Sequence, residues 1–534
     1  MPQNVDKSNA AGPRARLDIA LVLFLLTFGS YAYFWQSRDW NTATRLMLTY
    51  ALGDRHQVEI DGLEQQAGER KFNWSTRRYE IVTGDVARVD LHYYTDKAPG
   101  QSLLGLPVYG IGKLAGLERH PLNRDAFAYW PADYWVTLFT SGLLTAAISV
   151  VLYAFSLRLG AAHFAGAIVG LGYGLGSPAF LYATLFYGHQ AAAFCTATSF
   201  FLLYRAAHEG RANVWNMLLA GLLAGLAPVV EYQTIGISAV LGLYAVAVVR
   251  RVRPVMTFAL AAAFAASLLA AYNYRAFGNP LELSYAHEVS PEFRAIHSTD
   301  NPLGLRLPRD VGEIIASLVW SRYRGLAVYA PLVVAAPLGL MVLLGRRFRG
   351  VALVATAAFA WMFAVNVTYP LWRGGWCTGP RFLLPALPFL FLAVAAVLGA
   401  DRTRITTALA APVALLCAAL LLGCVSVGGR FPDAVRDPLV DIAWRRWCGE
   451  QTPGLDVLAG GRQFEWNVGR WLIERFAPME WPRADASVWS DLEFVPLVVF
   501  WVVMTGVLAV FARRDGRAAT STNTSLAPAG ADAG

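Results

Sequence analysis

Along most of its 534 residues the chain runs in apolar stretches of about twenty residues, divided by short polar joints. One helical crossing of a hydrocarbon core roughly 30 Å thick takes ~20 such residues. The pattern predicts about twelve spans, at roughly 17–36, 132–157, 161–181, 188–205, 213–231, 234–250, 255–274, 324–344, 350–368, 382–400, 405–427 and 491–512. Pro178 and Glu231 interrupt the runs among the third to sixth. The expected fold class is all-α and polytopic.

Between the first and second spans lies a long polar interruption, about residues 37–131. Inside it Ala43, Leu46, Met47, Tyr50 and Ala51 share one face at helical spacing, which suits a helix lying on the membrane surface. From Gln57 to Asp90 the pattern shortens and becomes strand- or hairpin-like. A second apolar run, Leu103 to Leu117, is too short and glycine-rich for a span. The expectation is two interfacial helices flanking a small extended element.

Short basic clusters assign the sides. With the N-terminus in the cytoplasm, the cytoplasmic joints carry Arg14 and Arg16, Arg158, Arg205 and Arg211, Arg250, Arg251 and Arg253, Arg346, Arg347 and Arg349, Arg402 and Arg404, and Arg513 and Arg514. All of them then fall on one face, as the positive-inside rule requires. The opposite face receives the long loops, 37–131, about 275–323, 369–381 and 428–490. The expected division is a cytoplasmic N-terminus (1–16), a transmembrane domain (17–427), an outer loop (428–490), a last transmembrane helix (491–512) and a cytoplasmic tail (513–534). From Arg517 the tail lacks apolar content for a core and is expected to be disordered. No small-residue cleavage site follows residues 17–36, so the first span is expected to be retained rather than removed as a signal peptide.

Composition supports a membrane protein. The chain is 56% hydrophobic and 15% charged, whereas soluble domains carry about 25% charged residues. The net charge of +8 is dispersed beside spans and implies no nucleic-acid partner. Lysine is scarce (Lys7, Lys71, Lys97 and Lys113), so a lysine inside a motif is informative. The five cysteines form no CxxC or His/Cys cluster. Cys377 and Cys448 both fall on the outer side, where a disulfide between them could pin the 428–490 loop over a glycine-rich turn.

Four constellations carry chemistry, all at the outer face. Asp39 follows the first span directly; an ionised acid there suits a general base acting on a hydroxyl at the membrane surface. The same position suits a helix cap beside Trp40. Asp96-Lys97 lies within Tyr93-Tyr94-Thr95-Asp96-Lys97-Ala98-Pro99-Gly100. The lysine could neutralise a phosphate leaving group, and Asp96 could orient it or hold a divalent cation; an exposed ion pair is the plain alternative. The turn Pro370-Leu371-Trp372-Arg373-Gly374-Gly375-Trp376-Cys377-Thr378-Gly379-Pro380-Arg381 combines glycines for close backbone approach with arginines that chelate phosphate. Trp372 and Trp376 offer stacking faces for a sugar or an isoprenoid. Arg322 and Arg324 precede another span against the positive-inside trend, which favours a phosphate role. His189 and Glu231 stand at outer ends of spans, where polar groups are costly and often functional.

These motifs resemble those of bacterial polytopic glycosyltransferases of the GT-C superfamily, in the group related to protein O-mannosyltransferases and the lipid A aminoarabinose transferase. The likeness rests on Asp39, on Tyr93 to Gly100, and on Tyr272-Asn273 with Phe277-Gly278-Asn279-Pro280. Arg324-Gly325-Leu326 with Tyr329-Ala330-Pro331, and Trp372-Arg373-Gly374-Gly375 running to Gly379-Pro380-Arg381-Phe382, complete it across roughly residues 17–400. The resemblance implies a glycosyltransferase that moves a hexosyl or pentosyl group from a polyprenyl-phosphate-linked donor. The transfer would be an inverting single displacement at the outer face of a bacterial plasma membrane, to a glycan, lipid or protein acceptor. Asp39 would be the base. Lys97 and Arg381 would bind the donor phosphate, with Asp96 and Arg373 in support. The chain departs from the family in having Asp-Lys where Glu-Lys or Tyr-Tyr-Gly-Pro-Gly is expected, and no carbohydrate-binding domain is expected in the residues that follow the last span. Neither GxGxxG nor a P-loop is present. The competing classes are a lipid or polysaccharide transporter or flippase, which needs related halves and mid-span charges, and a scaffold in which Asp39 and Lys97 are dispensable.

Overall fold

The computed structural model describes residues 13–36, 38–63, 71–73, 78–80, 83–116, 131–298, 300–345, 348–400, 405–450, 467–476 and 492–524. Helices occupy every predicted span position, from α1 (Pro13–Ala32) to a last helix, Val495–Thr524. Among the described residues, seven helical stretches are long and apolar enough to cross a bilayer, and three shorter apolar helices accompany them. The sequence-predicted twelve therefore divide into crossing-length helices and pieces. Around Pro178 the third breaks into His163–Gly174 and Ala179–Ala183, and at Pro331 the eighth breaks into Leu326–Tyr329 and Ala336–Gly345. Proline lacks the donor that a continuous helix needs.

The largest core threads the helices together through Tyr31, Phe155, Phe180, Phe200 and Phe391. Outward, Leu260 and Phe264 of the Val252–Phe277 helix and Val502 and Val503 of the last helix stay exposed. Large exposed apolar faces of this kind suit contact with lipid. The backbone is helical as far as Thr524, and residues 525–534 of the expected tail lie outside the described residues. Arg346, Arg347, Arg402 and Arg404 of the basic joints lie outside the described residues, as do positions 118–130 and much of 428–490.

The long segment after α1 contains both helices and hairpins. Helix α2 (Trp40–Tyr50) opens on Asp39 and ends in a wider turn, Ala51–Arg55, closed by His56 at φ 55°. Asn41 through Tyr50 are all buried, polar positions included. A helix covered on every face is not the half-exposed surface helix that its apolar stripe suggests. The extended element is two hairpins, β1 (Lys71–Asn73) with β2 (Arg78–Glu80), and β3 (Val86–Val89) with β4 (His92–Thr95). Asp90, at φ 53°, turns the second; aspartate tolerates that left-handed conformation. Helix α3 (Gly100–Leu114) covers the second apolar run. At Gly100 a Cβ would come 2.6 Å from the Val229 carbonyl, so only glycine lets α3 start against the Val214–Val230 helix.

Candidate active site

Asp39 sits where the chain leaves α1 and enters α2. Its Oδ1 accepts the Thr42 N–H at 2.7 Å, capping the helix, so the cap reading of this residue is realised. Next to it, Arg38 makes a two-pronged pair with Asp133 at 2.5 and 2.9 Å, and the Tyr50 hydroxyl donates to the same carboxylate. A bidentate arginine–carboxylate pair fixes orientation as well as charge, which anchors the turn that presents Asp39. The second oxygen, Oδ2, accepts the Tyr187 hydroxyl. Tyr187 precedes the Gly188–His208 helix in extended backbone and is buried.

Arg381 lies on the same tyrosine. Its guanidinium stands 5.7 Å over the Tyr187 ring and 4.9 Å over the Phe382 ring. Among the described residues it forms no salt bridge, and its buried Nε has no hydrogen-bond partner. An acid and a carboxylate-free arginine thus share one aromatic ring.

Lys97 is differently placed. Pairing of Val86 with Thr95 leaves Asp85 and Asp96 side by side at the open end of the second hairpin. Lys97 Nζ reaches both, at 3.2 and 2.5 Å. Asp96 is fully buried, with Oδ1 unpartnered, and its backbone carbonyl accepts the Ser284 hydroxyl at 2.6 Å. Burial pushes its carboxyl up to about 8 against the pull of Lys97, and the charges of Asp85 and Glu288 push it the same way. Burial works against the Lys97 ammonium, but the three acids outweigh it and hold its pKa above the usual lysine range. Lys97 is therefore a charge already held between two acidic side chains, Asp85 and Asp96.

A third group joins them. Arg45, buried in α2, donates to Glu231 at 2.8 Å, to Asn41 at 3.0 Å and to the Ala98 carbonyl at 3.2 Å. Glu231 Oε1 also lies 3.5 Å from His189 Nδ1. The His189 ring packs against Tyr182, Tyr187 and Phe382 at 5.9, 5.9 and 6.2 Å and feels the charges of Glu231, Arg381, Arg45 and Lys97. The structure thus brings Asp39, Arg381, His189, Glu231, Asp96 and Lys97 into one neighbourhood.

The glycine-rich turn frames it. Gly374, Gly375 and Gly379 adopt φ of 78°, 66° and 64°, a region that L side chains rarely enter. The buried Arg324 ties the turn down, donating to the carbonyls of Arg373, Gly375 and Tyr323 at 2.8, 3.0 and 3.1 Å. Arg373 and Trp376 point outward. Trp372 packs beside Ile314, Leu318 and Val367, with its ring edge to Tyr323 at 6.2 Å. Arg322 is set apart, exposed and paired with Asp437 at 3.0 Å. Cys377 is buried with its thiol against the Arg373 carbonyl at 3.3 Å, whereas Cys448 is exposed; both are free. The two thiols are not joined in this structure, and that of Cys377 faces its own turn.

Sequence reasoning missed Tyr187, Asp85 and Arg45. Asp85 was accessible from the hairpin pattern, since an antiparallel register sets partners by simple counting. Tyr187 carries no such signal. Among the described residues no group of three or more His, Cys, Asp and Glu side chains stands together to hold a metal ion.

No family model and no curated protein matches the chain in sequence. Among solved structures it is similar to ArnT from Cupriavidus metallidurans bound to undecaprenyl phosphate, at 14% identity over 95% of this chain and 78% of that one, with a TM-score of 0.46. It is also similar to the archaeal oligosaccharyltransferase AglB from Archaeoglobus fulgidus, in complex with an inhibitory peptide and a dolichol-phosphate (11% identity, 76% and 55% covered, TM-score 0.40). A third is the arabinofuranosyltransferase AftD from Mycobacteria (15% identity, 80% and 28% covered, TM-score 0.41).

Proposed function

We propose that this chain is an integral membrane glycosyltransferase of the GT-C kind. It moves a hexosyl or pentosyl group from a polyprenyl-phosphate-linked donor to an acceptor hydroxyl, at the outer face of a bacterial plasma membrane. The observation that carries the reading is the meeting of Asp39 and Arg381 on Tyr187. A displacement at an anomeric carbon needs a base on one side of the sugar and a cation at the departing phosphate on the other. Asp39 takes the acceptor proton, the acceptor oxygen bonds to the anomeric carbon with inversion, and the bond to the phosphate oxygen breaks. Arg381 stabilises the charge that develops on the phosphate.

The site residues divide the remaining work. Lys97, already paired, contributes field more than contact, and the fully buried Asp96 orients it. His189, with Glu231 behind it, lines the sugar side, while Arg373 and Trp376 stand at the outer rim for donor or acceptor. Trp372 and Arg322 are assigned to packing and to a surface ion pair. A positioned base is worth ~10²–10⁴-fold, and removing one preorganised electrostatic donor costs a comparable ~10²–10³-fold.

The test supplies the purified protein with radiolabelled polyprenyl-phosphate sugars and a panel of glycan, lipid and protein acceptors. Transfer that is lost in Arg381→Ala supports the reading. Substrate flux in liposomes without transfer to any acceptor favours a transporter instead.

A further inference from the structure

Around the Asp39–Arg381 pair, three other cations face acidic side chains: Arg38 on Asp133, Arg45 on Glu231, and Lys97 on Asp85 and Asp96. Arg381 instead rests on two aromatic faces and forms no salt bridge among the described residues, whereas Arg38, 6.0 Å over the Tyr50 ring, is also paired with Asp133. A ring attracts a cation through its quadrupole without cancelling the charge, so a guanidinium held this way keeps its full charge for an anion. One of these rings belongs to Tyr187, whose hydroxyl also donates to the Asp39 carboxylate. With Thr42 N–H on the other oxygen, Asp39 is held at both ends and cannot rotate freely, yet each oxygen keeps a lone pair for an acceptor proton.

We infer that Tyr187 is the positioning residue that sets Asp39 and Arg381 at a fixed separation, its hydroxyl orienting the base and its ring face seating the phosphate-binding cation uncancelled. This rests on the glycosyl-transfer reading above. It also explains why the tyrosine is buried among Tyr182 (ring centroids 5.6 Å apart) and His189 (5.9 Å): a spacer between two reacting groups must not move. The two halves of the role separate chemically, because phenylalanine keeps the ring and removes only the hydroxyl.

The experiment compares wild type, Tyr187→Phe and Tyr187→Leu as full chains in lipid nanodiscs. Turnover of a radiolabelled polyprenyl-phosphate sugar and binding of a polyprenyl phosphate without sugar are both measured. In Tyr187→Phe, kcat falls about tenfold or more, while donor KM and polyprenyl-phosphate Kd stay within about twofold. Tyr187→Leu shows the same fall in kcat, and its Kd weakens about fivefold or more. A kcat for Tyr187→Phe near wild type overturns the inference, as does a parallel loss of kcat and Kd in both variants, which a purely structural role would give. If the wild type transfers no sugar, the enzymatic reading fails by itself. The binding comparison then still decides the ring's part, since equal Kd for wild type and Tyr187→Leu overturns it.

Discussion

Arg324 donates to the Gly375 carbonyl at 3.0 Å from a position with no solvent exposure. It spends a full positive charge on three backbone carbonyls, and its target is the turn that leads into Arg381. Lysine cannot reproduce a planar fork aimed at several acceptors. Arg324→Lys is therefore expected to raise the donor KM severalfold while the protein remains folded. Arg324→Ala leaves buried carbonyls unpaired, at ~1–3 kcal/mol each, and is expected to lower the thermal midpoint clearly. Donor titrations and thermal melts in detergent check the two expectations; an unchanged donor KM in the lysine variant counts against the turn's role.

The Arg45–Glu231 pair, 2.8 Å and buried on both sides, joins α2 to the end of the Val214–Val230 helix. Removing one partner strands the other charge, at roughly 3–5 kcal/mol. Glu231→Ala is expected to destabilise more than the double substitution with Arg45→Met, which leaves no stranded charge. Denaturation midpoints of the three proteins decide it, and a double variant weaker than both singles would remove the pair from this role.

Asp96 gives the fold a pH dependence. Its carboxyl titrates near 8 in the folded protein, against an ordinary value of about 3.9. The folded state therefore holds a proton that the unfolded chain releases, and stability falls as pH rises from about 4 to about 8 through this group. The contribution is complete below the ordinary value and gone above the folded one. Asp96→Asn, which needs no proton, should show a flatter decline of melting temperature between pH 5 and 9 than wild type. Equal slopes would show that Asp96 is ionised in the folded protein.

Two glycines of the turn should respond unequally. Gly375 has φ 66° with open space where a Cβ would stand, whereas Gly379 has φ 64° and contacts at 3.2 Å to Pro178 and Tyr329. Gly375→Ala bears only backbone strain, ~1 kcal/mol; Gly379→Ala bears the strain and the crowding as well. Melting curves should rank Gly379→Ala as the less stable of the two.

Much of this architecture was legible because its causes are local. Apolar length placed a helix at every expected span, and Pro178 announced the break near it. A hairpin-like pattern was readable between Gln57 and Asp90, but β4 (His92–Thr95) lies beyond it. Burial was not: α2 has the stripe of a surface helix, but its polar face is covered by α3 and by the Arg45 network. Asp39 was found by its place at the end of a span. Its partner Tyr187 was not, because 148 residues separate them and nothing in a tyrosine's neighbours says which carboxylate it will meet. Lys97 was read with Asp96 alone, since Asp85 lies twelve positions upstream and only strand register makes it a second partner.

Asp39 as the base is the central assignment. The most direct measurement is single-turnover transfer from a radiolabelled polyprenyl-phosphate sugar by wild type and Asp39→Asn, with donor binding measured alongside. The amide keeps the size, with its oxygen placed to accept from the Thr42 N–H and its NH2 to donate to the Tyr187 hydroxyl oxygen, but it cannot take a proton. A transfer rate lowered by ~10²-fold or more at unchanged donor affinity is the predicted result. A rate within a fewfold of wild type would contradict the assignment.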